Sequence, residues 1–256
     1  MKIYFKPFQP YQPFQPPPQM PNPYFQFKQF TIQQENCTMK VSTDACIFGA
    51  YMARELKDMN GNLLDIGTGT GLLSLMLAQD TGVEIDAVEL DDASYLQAKE
   101  NSEASPWSHR VHIFNADIVT FPAGRKYDHI ISNPPFYEDD LLSGDAAKNS
   151  AKHDTSLTLL QLLKAIHDLL KENGSFSVLL PYHRISYFEQ EAETFGFHIH
   201  KRTGVRHSTA HPYTRGILIF SKTEKSLKEE ELIIRDDNGN YSAAIRDMLG
   251  KYYLNV

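Results

Sequence analysis

Cysteine is nearly absent from this chain: Cys37 and Cys46 are the two in 256 residues. Such a pair makes neither a disulfide framework nor a metal-ligand spacing, so both are expected as small buried side chains in a reducing compartment. No metal is expected. No run of about 18 apolar residues occurs, so no membrane-spanning helix is expected, and the N-terminus lacks the apolar segment of a signal peptide. The expected address is the cytoplasm. Positive charge is not in excess either. A net charge of -7 argues against a protein that coats nucleic acid indiscriminately, although a local basic patch remains compatible with it. One stretch does lack acid: between Glu193 and Glu224 there is none, while Lys201, Arg202, Arg206, Arg215 and Lys222 are present. A basic loop over 203–215 is expected there, favouring a polyanionic substrate.

What is present fits one large α/β domain. Hydrophobic residues make up 41 % of the chain and charged residues 22 %, ordinary proportions for a globular protein. Residues 1–26 are dominated by Pro, Gln and Phe and predict an extended arm, because frequent proline forbids a regular core element. The domain proper is expected over 27–256. A short hairpin at Phe27–Ile32 and a helix after Ser42-Thr43 open it. Strands and helices then alternate from Gly61 to Phe220, and the tail carries a small hairpin and a last helix at Ala243–Leu249.

Two segments in that alternation carry chemistry. The strand ending Asp65-Ile66 runs into Gly67-Thr68-Gly69-Thr70-Gly71 and then an apolar helix. Strand, glycine loop and helix form a nucleotide-binding turn, in which a Cβ would block close approach of a ligand to the backbone. The spacing is not the Gly-x-Gly-x-x-Gly of dinucleotide binders, and the Lys-Ser/Thr of a phosphate-binding P-loop is missing. Glu89, at the end of the next strand, can accept from both hydroxyls of a ribose. Asp117 ends the following strand and can accept from an adenine amine while Ile118 packs on the ring.

The second segment is Ile130-Ile131-Ser132-Asn133-Pro134-Pro135-Phe136. Each proline fixes φ and restrains the residue before it, so a buried strand ends in a stiff turn. The Asn133 amide oxygen and the Pro134 carbonyl can both accept, and Phe136 offers an aromatic face. Acceptors converging beside a ring suit a planar group with an exocyclic NH2, either a nucleobase or a carboxamide.

This order of motifs resembles that of the S-adenosylmethionine-dependent methyltransferases. Asp65, Gly67, Gly69 and Gly71 look like their cofactor loop, Glu89 their ribose acid, Asp117-Ile118 their adenine contacts, and Asn133-Pro134-Pro135-Phe136 their amino-methylating motif. More narrowly, Phe27-Lys28-Gln29-Phe30, Lys40-Val41-Ser42-Thr43-Asp44, Ala151-Lys152-His153 and Tyr252-Tyr253-Leu254 are similar to segments of the bacterial tRNA1(Val) (adenine(37)-N6)-methyltransferases. The arm departs from that family, which begins near Phe25, and Lys152-His153 stands where the family more often has Arg-His. The resemblance implies a Rossmann-like, doubly wound, seven-stranded, mostly parallel sheet with its last strand antiparallel. It also implies S-adenosyl-L-methionine as cofactor and tRNA, bound through its anticodon stem-loop, as substrate; a monomer is expected. Lys40 and Thr43 are expected near the methionine end of the cofactor; Lys152, His153, Lys201, Arg202, Arg206 and Arg215 are the candidate RNA contacts. Protein glutamine N5-methylation and ribosomal RNA guanine-N2 methylation are the alternatives. The former is disfavoured by Phe136 and a short N-terminal segment, the latter because such enzymes are longer.

Overall fold

Five consecutive strands of this chain lie parallel, and their register places every ligand-binding turn on one edge. The computed structural model describes residues 22–37, 39–122, 124–134 and 157–255. A hairpin of β1 (Tyr24–Gln26) and β2 (Thr31–Gln33) precedes α1 (Thr43–Glu55). Then come β3 (Asn62–Ile66), α2 (Leu72–Asp80), β4 (Glu84–Glu89), α3 (Asp92–Glu103), β5 (Val111–Asn115) and β6 (Tyr127–Ser132). After α4 (Leu159–Leu169) follow β7 (Leu170–Pro181), a 3-10 turn at Tyr182–Arg184, α5 (Ile185–Thr194), β8 (His198–Arg206), β9 (Tyr213–Ser221), β10 (Lys228–Ile233) and α6 (Ala243–Leu249).

The large sheet runs β10-β8-β9-β7-β6-β3-β4-β5. Only β9 is antiparallel to its neighbours. The expected seven strands are therefore present with one antiparallel member, and an eighth, β10, extends the edge beyond β8. The tail expected as a hairpin is mostly that edge strand; a single bridge, Arg235 to Tyr241, closes the small turn after it. β1 begins at Tyr24, inside the segment expected as arm, because Phe25 pairs with Ile32.

Both faces of the sheet are covered, as parallel strands require. One apolar cluster joins α1, α2 and α6 to Ile131, Leu179, Ile217 and Ile219. The other joins α4 and α5 to Ile130, Phe176, Val178 and Leu218. The alternation along β7, with Phe176 and Val178 to one side and Leu179 to the other, is the period-2 signal of a strand buried twice. Local capping fixes where the helices start. Ser42 Oγ accepts from Ala45 N at 3.2 Å, Asp91 from Ser94 N at 2.8 Å, and Thr158 and Gln161 form a reciprocal capping box on α4.

The hairpin and the segment after α6 meet over α2. Lys28 N donates to the Tyr252 carbonyl at 2.7 Å, Phe25 and Phe27 pack their rings on Tyr253, and the Tyr252 hydroxyl donates to Asp80 at 2.9 Å. The aromatic signatures at both ends are thus packing residues.

Candidate functional site

Ile66, Val88 and Ser132 stand level across β3, β4 and β6, so the turns that follow them emerge side by side. The chain leaves β3 towards β4 on one side, and β6 lies on the other. Gly67 and Asn133 therefore flank the point where the winding of the sheet reverses, where open α/β sheets bind ligands. Ser132 Oγ donates to the Ile66 carbonyl at 2.9 Å and ties the two turns together. Asn133 is half-buried and Pro134 buried directly beyond.

The glycine loop is held from below. Gly67 N donates to the Val88 carbonyl at 2.9 Å. Asp65 Oδ2 accepts from Thr68 Oγ1 at 2.6 Å and Ser74 Oγ at 2.7 Å. Gly67, Gly69 and Gly71 have φ of 70°, 57° and 80°, the left-handed region that a side chain rarely adopts. They divide by surroundings. A Cβ on Gly67 or Gly69 would meet nothing within 4 Å, whereas one on Gly71 would touch Ala98 at 3.6 Å. The first two line open space, and Gly71 turns the chain into α2. Glu89 Oε2 accepts from Gly69 N at 2.9 Å and Oε1 from Asp91 N at 3.0 Å. Each oxygen keeps a lone pair, as acceptance from two ribose hydroxyls requires.

Asp65 is fully buried and holds the loop through its bonds from Thr68 and Ser74. Its Oδ1 has no hydrogen-bond partner, a buried acceptor that suits a ligand bringing a cationic donor. Burial pushes its carboxyl up from 3.8 to about 6, because desolvation outweighs the hydroxyl bonds from Thr68 and Ser74. Between these two values the folded state holds the proton and the unfolded chain does not. The group's contribution to stability is therefore full below pH about 4 and lost as pH rises through about 6. Melts of the cofactor-free protein and Asp65→Asn from pH about 4 to 7 should show the wild type losing on the order of 3 kcal/mol relative to the variant. A difference that does not change with pH contradicts the shift.

Other expected contacts land differently. Lys40 turns back on its own loop: Nζ donates to the carbonyls of Gln34 and Glu35. Thr43 is exposed at the start of α1, and Asp44 pairs with Arg215 at 3.2 Å. Asp117 Oδ1 accepts from Val119 N at 2.9 Å, shaping the turn after β5. Ile118 is buried beside Ile66 and Val88. Phe136, Lys152 and His153 lie outside the described residues.

The basic loop needs the largest correction. β8 and β9 extend through most of 203–215, leaving a turn at 207–212. The cations have acidic partners from elsewhere in the chain. Lys201 pairs with Glu55 and Glu230 at 2.7 and 3.3 Å, and Arg202 with Glu189 and Glu229 at 2.8 and 2.5 Å. Arg206 pairs with Glu231 at 2.8 Å, and Lys222 with Glu172 at 3.5 Å. Counting charges along the chain missed β10, whose glutamates stand beside Lys201, Arg202 and Arg206 through parallel pairing.

Asn101 was missed as well. Its Nδ2 donates to the Thr70 and Gln33 carbonyls, both at 2.9 Å, and its Oδ1 accepts from Gln33 N at 2.9 Å. One buried amide on α3 thus anchors the hairpin and the glycine loop together. An interior Asn in a helix carries no signal of such bonds. A cleft of about 520 Å³, lined in part by Lys28, Gln29, Glu100 and Ser105, lies between the hairpin and the C-terminal half of α3, away from Asn133.

A left-handed glycine loop with free space above it, an acid at the neighbouring strand end and an Asn-Pro turn at the switch point define a methyltransferase that uses S-adenosyl-L-methionine. The methyltransferase small domain model matches residues 48–196. Among solved structures, a "predicted O-methyltransferase" from Agrobacterium tumefaciens superposes with a TM-score of 0.64 at 14 % identity, covering 84 % of this chain and 99 % of that one. A glycopeptide N-methyltransferase complexed with S-adenosylmethionine gives 0.51 at 13 % identity, covering 68 % and 93 %. These share the fold.

The particular family follows from sequence relatives. A tRNA1(Val) (adenine(37)-N6)-methyltransferase of Dyadobacter fermentans is 40 % identical over 91 % of this chain and 98 % of its own length. One from Pectobacterium carotovorum is 40 % identical over 90 % and 93 %. This chain belongs to the tRNA1(Val) (adenine(37)-N6)-methyltransferase family.

Proposed function

We propose that this chain methylates N6 of adenine 37 in tRNA1(Val), beside the anticodon, acting as a monomer on the anticodon stem-loop in the cytoplasm. The observation that carries this reading is the tie between Ser132 and Ile66, which holds the Asn133-Pro134 acceptors against the glycine loop. When bound, S-adenosyl-L-methionine supplies an electrophilic methyl group on a sulfonium. Gly67, Gly69 and Glu89 are assigned to hold it, and Asp117 and Ile118 to flank its adenine.

The amine of adenine is a poor nucleophile because its lone pair is spread into the purine. Two acceptors on its hydrogens, Asn133 Oδ1 and the Pro134 carbonyl, favour a more tetrahedral nitrogen with the pair localised. Positive charge grows on N6 as the new bond forms, so those acceptors bind the transition state more tightly than the ground state. N6 then gives up one proton to water. No side-chain base is required, since holding the two reacting centres in line supplies much of the remaining acceleration. On the motif alone, Phe136 is assigned to stack on the extruded base, an interaction of roughly 1–3 kcal/mol that offsets the few kcal/mol of unstacking.

Incubation with methyl-labelled cofactor and unmodified total RNA, followed by digestion to nucleosides, should place the label in N6-methyladenosine. Label in 2-methylguanosine or in protein glutamine would overturn the reading. Among the described residues no helix is long and apolar enough to cross a membrane.

A further inference from the structure

β7 does not stop level with β6. Ser132 pairs in register with Val178, and the strand continues to Pro181 before the turn at Tyr182–Arg184. Tyr182 therefore stands on the strand next to Asn133, about 10 Å farther along the same edge at the usual strand rise. Its ring stacks on that of Tyr213, with centroids 4.8 Å apart and planes at 28°. One face is thus occupied, while the residue as a whole is 36 % exposed, so part of it stays open to solvent.

The pair is built rather than incidental. Tyr213 lies over Gly204, where a Cβ would come within 2.8 Å of its Cδ1; a glycine in mid-strand costs stability and marks a close approach. Glu231 Oε2 accepts from the Tyr213 hydroxyl at 2.9 Å and from Arg206 Nη2 at 2.8 Å. This fixes the guanidinium 5.2 Å from the Tyr213 ring centroid. Arg206 and Tyr213 stand opposite each other in the β8–β9 pairing. Beside the platform, His183 is exposed and Arg184 lies 5.6 Å from the Tyr187 ring centroid. Aromatic faces held rigid among cations are how proteins take single-stranded bases without reading their sequence.

We propose that Tyr182, backed by Tyr213, is a stacking platform for an unpaired nucleobase of the RNA substrate that flanks the methylated adenine. The inference rests on the RNA reading above. The separation from Asn133 suits a neighbouring nucleotide rather than the target base itself. The platform positions the loop by stacking, while Asn133 and Pro134 address the amine.

The test is a variant series read on an anticodon stem-loop RNA and on a fully duplex RNA of equal length. Tyr182→Leu and Tyr182→Ala should weaken stem-loop binding roughly 5- to 100-fold and raise KM for the RNA in parallel. Tyr182→Phe and Tyr182→Trp, which keep a ring face, should bind within about threefold of wild type. The Kd for S-adenosylmethionine should stay within about twofold throughout the series, which also shows that each variant is folded. Duplex binding should barely respond, because a duplex offers no unstacked base. The proposal is overturned if Tyr182→Leu binds the stem-loop like wild type. It is also overturned if Leu and Phe lose equally, or if Leu loses as much on duplex RNA. Failure of the underlying reading is distinct: the wild type would then methylate some other group, whatever the binding series shows.

Discussion

Replacing Asn133 by alanine is expected to lower turnover by about 10²- to 10³-fold, the range seen when one preorganised hydrogen-bonding group aimed at developing charge is removed. Affinity for S-adenosyl-L-methionine should remain within a few-fold, since the glycine loop and Glu89 stand on β3 and β4 while Asn133 stands on β6. The backbone course of the turn is held independently, by Pro134 and by the bond from Ser132 to Ile66. The loss should therefore fall on the chemical step, and single-turnover rates at saturating cofactor and RNA will read it directly. If the variant instead fails to bind cofactor, Asn133 belongs to the cofactor pocket and the acceptor role is wrong.

The second large effect concerns Glu89. Its carboxylate fixes the Gly69 amide and the start of α3 through Asp91, and its remaining lone pairs are assigned to the ribose. Hydrogen bonds to a charged acceptor contribute roughly 1.5–3 kcal/mol each. Losing two should weaken cofactor binding by at least about 100-fold. Titration calorimetry on Glu89→Ala measures this, and Glu89→Gln, which keeps one acceptor oxygen, should fall between the two. The KM for RNA, extrapolated to saturating cofactor, should change little. A Glu89→Ala protein that binds cofactor normally would remove the acid from the site.

The parts of this site that could be read from sequence are those whose chemistry is local. Gly67, Gly69 and Gly71 announce a left-handed loop because few other residues tolerate it. Glu89 and Asn133 are marked by the strands that end at them, and Asn133 also by the prolines that follow. The parts that could not be read depend on residues distant in the chain. Arg202 looks like free positive charge until parallel pairing brings Glu229 opposite it. Lys40 carries no sequence signal of the Gln34 and Glu35 carbonyls that its ammonium meets. Asn101 sits on a helix face whose buried side holds Ser94, Gln97 and Ser102 in place of large apolar groups, so no hydrophobic period marked it. The extent of β8 and β9 was hidden for a related reason. Their outer ends carry Arg206, Tyr213 and Arg215, which read as loop by composition and are held in strands by pairing.

The strand that accepts these cations also decides how the sheet ends. A parallel sheet left open at β8 would present unpaired backbone groups to any extended chain it met. β10 occupies that row and becomes the new border, with Lys228, Glu229, Glu230 and Glu231 all exposed along it. A second copy adding itself there would bring glutamate against glutamate in a newly dehydrated seam, and like charges directly opposite across strands repel. The same three glutamates that pair with Lys201, Arg202 and Arg206 of β8 thus make the molecule a poor template for its own polymerisation.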